Sequence, residues 1–262
     1  MGRAPAGGGR VTPPDDLLDI AVEAARTAGA LLLERFGTER VLATKSTPTD
    51  VVSEADLAAE RAIRAVLARR APDDAIMGEE GEDTAGTSGR RWIVDPLDGT
   101  VNYLYGLPLW AVSVACDREA GVVFDPVRDE LFTATADGPA RLNGEELRAG
   151  APATLSQALV ATGFGYDPAR RTLQAEVVSR VLPRARDIRR GGAAALDLAW
   201  VAAGRLDAYY ERGINPWDVA AGELVCARAG RLVQRLEPAG ELPWGTLAAP
   251  ESIAAELLEL VA

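Results

Sequence analysis

The feature that most constrains this fold is the stretch Asp95-Pro96-Leu97-Asp98-Gly99-Thr100, set directly behind the apolar run Trp92-Ile93-Val94. A short apolar run of this kind reads as a buried strand. The chain must therefore bring two aspartates, three positions apart, to the end of a buried strand. Like charges this close repel, and beside apolar residues they also lose hydration. A fold that accepts them has to supply compensation there, and a cation is the simplest form of it. Pro96 biases Asp95 toward an extended backbone, and Gly99 can take the positive φ of a sharp turn. Such a turn would present both carboxylates and the Leu97 carbonyl on one side. Mg²⁺ takes that set of oxygens while keeping several waters. Thr100 stands where a helix can begin, so N–H groups there could face an anion such as phosphate. An ordinary type I turn with Asp at its first position is the competing reading of the same residues.

Composition narrows the chemistry further. The chain contains no histidine, which removes serine–histidine triads, phosphohistidine chemistry and histidine-ligated zinc. Its two cysteines, Cys116 and Cys226, sit in apolar surroundings without zinc-ligand or C-x-x-C spacing. Neither is followed by an arginine at the spacing of a cysteine-phosphatase loop, and both read as buried free thiols in a reducing compartment. Chemistry is left to carboxylates, hydroxyls, backbone groups and metals bound through oxygen. The balance of 28 basic against 39 acidic residues, a formal charge of −11, argues against nucleic acid as a partner, because a phosphate-backbone binder needs a basic face. With 262 residues, 48% of them hydrophobic, the chain can bury a core without disulfides or structural metals. No signal-peptide core or membrane-length apolar run is present. Residues 1–14 therefore read as a disordered leader on a cytoplasmic protein with no membrane partner.

Periodicity predicts a helix over Asp15–Gly37. A second helix, opened by a capping box at Ser53 and Asp56, should run to about Arg70. A strand over Ala75–Glu80 ends in Glu79-Glu80, and a loop leads to a second strand ending at Asp95. A meander follows, punctuated by Asp125-Pro126 and Asn143-Gly144. The second half alternates strand and helix: a strand over 158–165, a helix over 168–182, a strand or turn over 186–192 and a helix over 194–206. A strand over 207–212, a helix over 215–230, a further strand and a terminal helix complete it. The class is α/β, with helices sandwiching sheets. Four acidic sites stand out, and each has a plain structural explanation. Glu79 and Glu80 fit a solvated loop, and Asp56 a helix cap. Asp218, in Asn215-Pro216-Trp217-Asp218, can simply stabilise a helix N-terminus. Neighbouring strands that end at one sheet edge would instead bring the acids together.

Taken jointly, the blocks "GEE", "WIVDPLDGTVNYLYG" and "YYERGINPWDVAAGELVCARAG", with "KSTPTDVVSEAD" upstream, resemble the inositol monophosphatase family in order, spacing and context. The resemblance runs from Asp15 onward, and "RRGGAAALDLAWVAAGRLDAYYE" is similar to bacterial members of the SuhB type. It implies a layered αβαβα sandwich and a single catalytic unit over residues 15–262. Of its two packed halves, about 15–150 would carry most metal ligands, and about 151–262 the substrate pocket and last ligand. It implies that Glu79, Asp95 and the Leu97 carbonyl hold one Mg²⁺, that Asp95, Asp98 and Asp218 hold a second, and that a third, weaker ion sits near Glu79. Thr100 and Asp56 would orient and deprotonate the attacking water, with Glu80 a second candidate for that water. Phosphate would lie against Gly99 and Thr100. Backbone groups of Gly192, Ala193 and Ala194, with the Glu211 carboxylate, would meet a polyol, and Lys45 would help hold Asp56. The implied substrate is a phosphorylated polyol, foremost myo-inositol 1-phosphate. Fructose 1,6-bisphosphate, histidinol phosphate and 3′-phosphoadenosine 5′-phosphate are served by the same scaffold. A homodimer and lithium inhibition are further implications. Some SuhB-type proteins act in transcription complexes, so a binding module is the reading from another class. Two departures stand out: Leu97 replaces the commoner isoleucine, and Arg231 stands where a small residue often follows the helix.

Overall fold

The computed structural model describes residues 14–38, 41–44 and 51–262; most of the expected leader and Lys45 lie outside the described residues. Helix α1 (Pro14–Arg35) already begins at the last leader position. A small antiparallel pair, β1 (Val41–Thr44) and β2 (Val51–Ser53), leads into α2 (Glu54–Arg70). The predicted capping box is present: the Ser53 N–H donates to Asp56 Oδ2 at 2.8 Å, and Ser53 Oγ accepts the Ala55 N–H at 3.1 Å.

The first sheet has seven strands in the order β3 (Ala75–Gly78), β4 (Arg91–Asp98), β5 (Ala111–Cys116), β6 (Ala120–Asp125), β7 (Glu130–Thr135), β8 (Arg141–Leu142), β9 (Glu145–Glu146). Only β3 and β4 run parallel, and the remainder is the expected meander. Asn143 and Gly144 take positive φ at the β8–β9 hairpin, as their sequence asks. Between β4 and β5 stands α3 (Thr100–Leu104). The second sheet has the order β11 (Asp187–Arg189), β10 (Leu159–Thr162), β12 (Ala208–Arg212), β14 (Gly245–Ala249), β13 (Leu232–Leu236). Its helices are α4 (Pro168–Val181), α5 (Ala194–Ala202), α6 (Pro216–Arg228) and α7 (Glu251–Val261).

Contacts stack these elements in five layers: α1 and α2 on one face of the first sheet, α5 and α6 between the two sheets, α4 and α7 outside the second. The layered αβαβα sandwich is therefore present. Three apolar clusters fill it, one under α1 and α2, one around α5 and α6, and one beneath α4 and α7. A cluster of Phe36, Tyr103 and Trp110, with ring centroids 5.0–5.4 Å apart, ties α1 to α3. The Tyr103 hydroxyl closes that contact by donating to the Leu32 carbonyl at 2.7 Å.

Three differences from the pattern reading have physical causes. The strand expected over Ala75–Glu80 stops at Gly78, because the Glu80 N–H leaves the sheet for Glu60 on α2. Strand β4 continues through Asp98 where a turn after Asp95 was expected. Residues 245–249, which show no periodicity, form β14 between β12 and the edge strand β13 of the second sheet. All five are buried, so the strand shows no alternation, and its small residues resemble a linker. Arg231 is accommodated by burial of its chain: Nη2 donates to the Gly150 carbonyl at 2.9 Å and Nε to the Val201 carbonyl at 3.3 Å.

Candidate active site

The register of the first sheet explains how the acids meet. Gly78 of β3 lies opposite Val94 of β4, so the residues that follow, Glu79 and Asp95, emerge side by side. Along β4, Asp95 pairs with Ser113 and Asp98 with Ala111, three steps on one strand against two on the other. The extra residue is a β-bulge at Pro96-Leu97. Residues three apart on a regular strand point to opposite faces; one inserted residue returns Asp98 to the side of Asp95. Gly99 leaves the bulge at φ 91°, where a Cβ would stand 2.8 Å from the Leu109 carbonyl oxygen. Only glycine fits that turn without strain.

Glu79, Asp95, Leu97, Asp98, Gly99, Thr100, Gly192, Ala193, Ala194, Glu211 and Asp218 all line one cleft of about 630 Å³. Asp56 lies behind it, fully buried, and accepts from the Thr100 hydroxyl at 3.0 Å through Oδ1. The Leu97 carbonyl is equally close to that hydroxyl, at 3.0 Å. Asp56 therefore makes both contacts: Oδ2 caps α2 while Oδ1 holds Thr100. Asp218 likewise combines two positions, since its Oδ2 accepts the Asn215 N–H at 2.6 Å while it faces the cleft. Glu80 does not line the cleft; its backbone N–H donates to Glu60 Oε2 at 2.7 Å.

Asp98 spans the two halves of the chain. Its carboxylate accepts the N–H groups of Ala194, Ala195 and Leu196, at 2.9, 2.8 and 3.3 Å, and so caps the N-terminus of α5. The Ala194 N–H is therefore already engaged, which corrects the expectation that it would be open to a polyol. Glu211 is held by the Tyr209 hydroxyl, which donates to its Oε2 at 2.6 Å. Gly163, just past the end of the neighbouring strand β10, leaves it room, because a Cβ there would overlap the Glu211 carboxylate at 1.9 Å.

The electrostatics are those of crowded acid. Burial pushes the Asp95 carboxyl well above its usual range, and Glu79, Asp98 and Asp218 push it further. Burial raises Asp98 to about 7 against the pull of its three N–H donors, and it raises Asp218 as well. Among the described residues no three of these acids form a ready-made ligand cluster, since several oxygens are turned to backbone N–H groups. The donor set nevertheless fits a hard divalent cation: all oxygen, largely buried, and carrying negative charge that the protein leaves largely uncompensated.

Two residues at or beside the cleft, Asp197 and Asn102, escaped the sequence reading. Asp197 lines the cleft while largely buried, and it is raised by burial and by Asp98 and Glu211. Arg190 lines the cleft and lowers both Glu211 and Asp197. Asn102 donates to the Gly191 and Leu109 carbonyls at 2.9 and 2.7 Å, tying the Gly191-Gly192 turn to the aspartate motif. Its place three residues after Gly99 was the available signal. Nothing in one sequence marks Asp197, which reads as an ordinary helix residue.

Fold and cleft together define a layered α/β protein with an oxygen-only acidic site. The description of the inositol monophosphatase family matches residues 14–262. The chain is 43% identical over 260 residues to the inositol-1-monophosphatase SuhB of Mycobacterium tuberculosis, covering 92% of this chain and 90% of that protein. It is 42% identical over 224 residues to the Nus factor SuhB of Escherichia coli K12, covering 83% and 84%. The solved structure of the suhB protein of Bartonella henselae matches with a TM-score of 0.85 at 36% identity, covering 94% and 98% of the two chains. This chain belongs to the inositol monophosphatase family.

Proposed function

We propose that the protein is a Mg²⁺-dependent phosphomonoesterase that hydrolyses myo-inositol 1-phosphate. The observation that carries the reading is the convergence of Glu79, Asp95, Asp98 and Asp218 on one cleft whose far wall holds Glu211. Glu79, Asp95 and the Leu97 carbonyl would hold one Mg²⁺, Asp95, Asp98 and Asp218 a second, and Glu79 would stand near a third. When bound, Mg²⁺ lowers the pKa of water and neutralises charge on the phosphoryl oxygens.

The chain's own residues do the rest. The Thr100 hydroxyl donates to Asp56 Oδ1, which leaves its oxygen lone pairs to accept a proton from the attacking water. Asp56 then accepts the proton that Thr100 passes on. Gly99 and Thr100 line the phosphate end. Glu211, fixed by Tyr209, accepts hydrogen bonds from polyol hydroxyls, and Gly192 and Ala193 shape the wall beside it. The relative from Mycobacterium tuberculosis, named an inositol-1-monophosphatase, supports the choice of substrate.

We place the protein in the cytoplasm as a homodimer. Among the described residues no helix is long and apolar enough to cross a membrane. Tyr105 and Leu107, exposed by 81% and 50% beside α3, offer an apolar face for a second copy. Light scattering of the purified chain at twice the monomer mass checks this.

The decisive experiment is phosphate release, with and without Mg²⁺, from inositol 1-phosphate, fructose 1,6-bisphosphate, histidinol phosphate and 3′-phosphoadenosine 5′-phosphate. Mg²⁺-dependent release led by the inositol ester is expected, with inhibition by lithium. Release led by another ester keeps the chemistry and moves the substrate. A second reading draws on the Escherichia coli relative's name as a Nus factor: a partner in a transcription complex. Absence of release from every ester, with retention by transcription proteins, would favour it.

A further inference from the structure

Glu79 has to be delivered beside Asp95, and part of what holds its segment in place lies outside the cleft. The restraint stands behind the segment, on α2. Glu60 is 2% exposed and does not line the cleft. Its Oε2 accepts the Glu80 N–H at 2.7 Å, and its Oε1 accepts Arg64 Nε, also at 2.7 Å. Arg64 Nη1 continues the line to Thr84 Oγ1 at 3.1 Å, in the loop that follows. The flanking glycines are fitted to this pair. A Cβ at Gly78 would stand 2.6 Å from Glu60 Oε1, and one at Gly81 2.5 Å from the same atom. The two glycines thus let the backbone on both sides of Glu79-Glu80 lie directly on an ion pair whose Glu60 end is buried.

We propose that the Glu60–Arg64 pair is a positioning device for the metal-binding segment. On this reading, the affinity of the site that includes Glu79 is set from α2, by residues that touch neither metal nor substrate. The inference rests on the proposed metal-dependent function and adds a residue pair to it. An ion pair serving stability alone would show itself only in the unfolding midpoint. A positioning pair shows itself in metal affinity, and removal of such outer partners typically costs about 10–100-fold.

The test is binding of Mn²⁺ alone, followed by electron paramagnetic resonance, to the full chain carrying Glu60→Ala, Glu60→Gln or Gly81→Ala. The Gly81→Ala change adds one methyl at an exposed position with ordinary φ, so it displaces the segment without emptying the core. It therefore keeps the inference testable should Glu60→Ala fail to fold. Folded Gly81→Ala and Glu60→Ala are expected to bind Mn²⁺ about 10-fold or more weakly. Glu60→Gln keeps an oxygen for the Glu80 N–H, and should shift less. In turnover, the Mg²⁺ concentration for half-activation should rise while KM for the ester at saturating Mg²⁺ holds. Variants that lose thermal stability but keep wild-type Mn²⁺ affinity would overturn the inference. A wild-type chain that binds no Mn²⁺ would instead overturn the metal-dependent function on which it rests.

Discussion

Asp95 concentrates the electrostatic tension of the cleft. It is 2% exposed, accepts one N–H from Leu97 at 3.0 Å, and faces three other acids. Asparagine at this position keeps the shape and removes the charge. Asp95→Asn should lower metal-dependent phosphate release at least ~100-fold, while its metal-free unfolding midpoint in urea stays level or rises. Wild-type turnover by that variant would remove Asp95 from the metal role. Thr100 tests the proton path. Thr100→Val keeps the bulk and loses the hydroxyl, so kcat at saturating Mg²⁺ should fall by about 10²–10⁴, and Thr100→Ser should recover most of it. Cys116 and Cys226 lie at the other extreme: both are buried, and burial pushes each thiol up to about 12. Neither should react with a thiol reagent in the native protein at pH 8, and rapid labelling would contradict the packing of the core.

At the scale of elements, the bulge in β4 decides the geometry of the site. Without the extra residue Asp98 would face away from Asp95, and α5 would lose the carboxylate that caps it. The bulge ends in the left-handed Gly99, pressed against the Leu109 carbonyl and Ala193. Gly99→Ala should therefore cost about 1–3 kcal/mol of stability, read from urea unfolding, and should also displace the α5 N-terminus. The motif itself was legible in the sequence, and so was the positive φ of Gly99. The bulge was not, because a turn and a bulge ask the same of Pro96 and Gly99; only the pairing partners on β5 separate them.

At the scale of the whole molecule, the cleft sits where the ends of β4, β12, α5 and α6 converge, and its charge links folding to pH. Asp98 ordinarily titrates near 3.8 and is raised to about 7 in the fold, with Asp95 and Asp218 raised in the same sense. Glu211 and Asp197 face the same region, and the α5 N–H groups oppose them. Between about pH 4 and 7 the native state holds protons that the unfolded chain has released, so stability of the metal-free protein falls as pH rises through that window. A divalent cation replaces those protons. Added Mg²⁺ should therefore raise the melting temperature strongly at pH 8 and little at pH 5. Equal shifts at both values would show that the acids are not its site.

By itself the sequence determined the alternation of helices and strands, the caps at Ser53 and Asn215, the oxygen-only chemistry and the residues that would carry it. These follow from local causes: side-chain period, backbone freedom at Gly and Pro, and the absence of histidine. Only the tertiary structure decided that Asp56 would both cap α2 and hold Thr100. It also decided that Asp98 would cap a helix 96 residues away, that residues 245–249 would form an interior strand between β12 and β13, and that Glu60 would underlie Glu79-Glu80. Each of these depends on which strand ends lie side by side and which backbone N–H points at which carboxylate. Such pairings join residues far apart in the chain, and no local pattern encodes them.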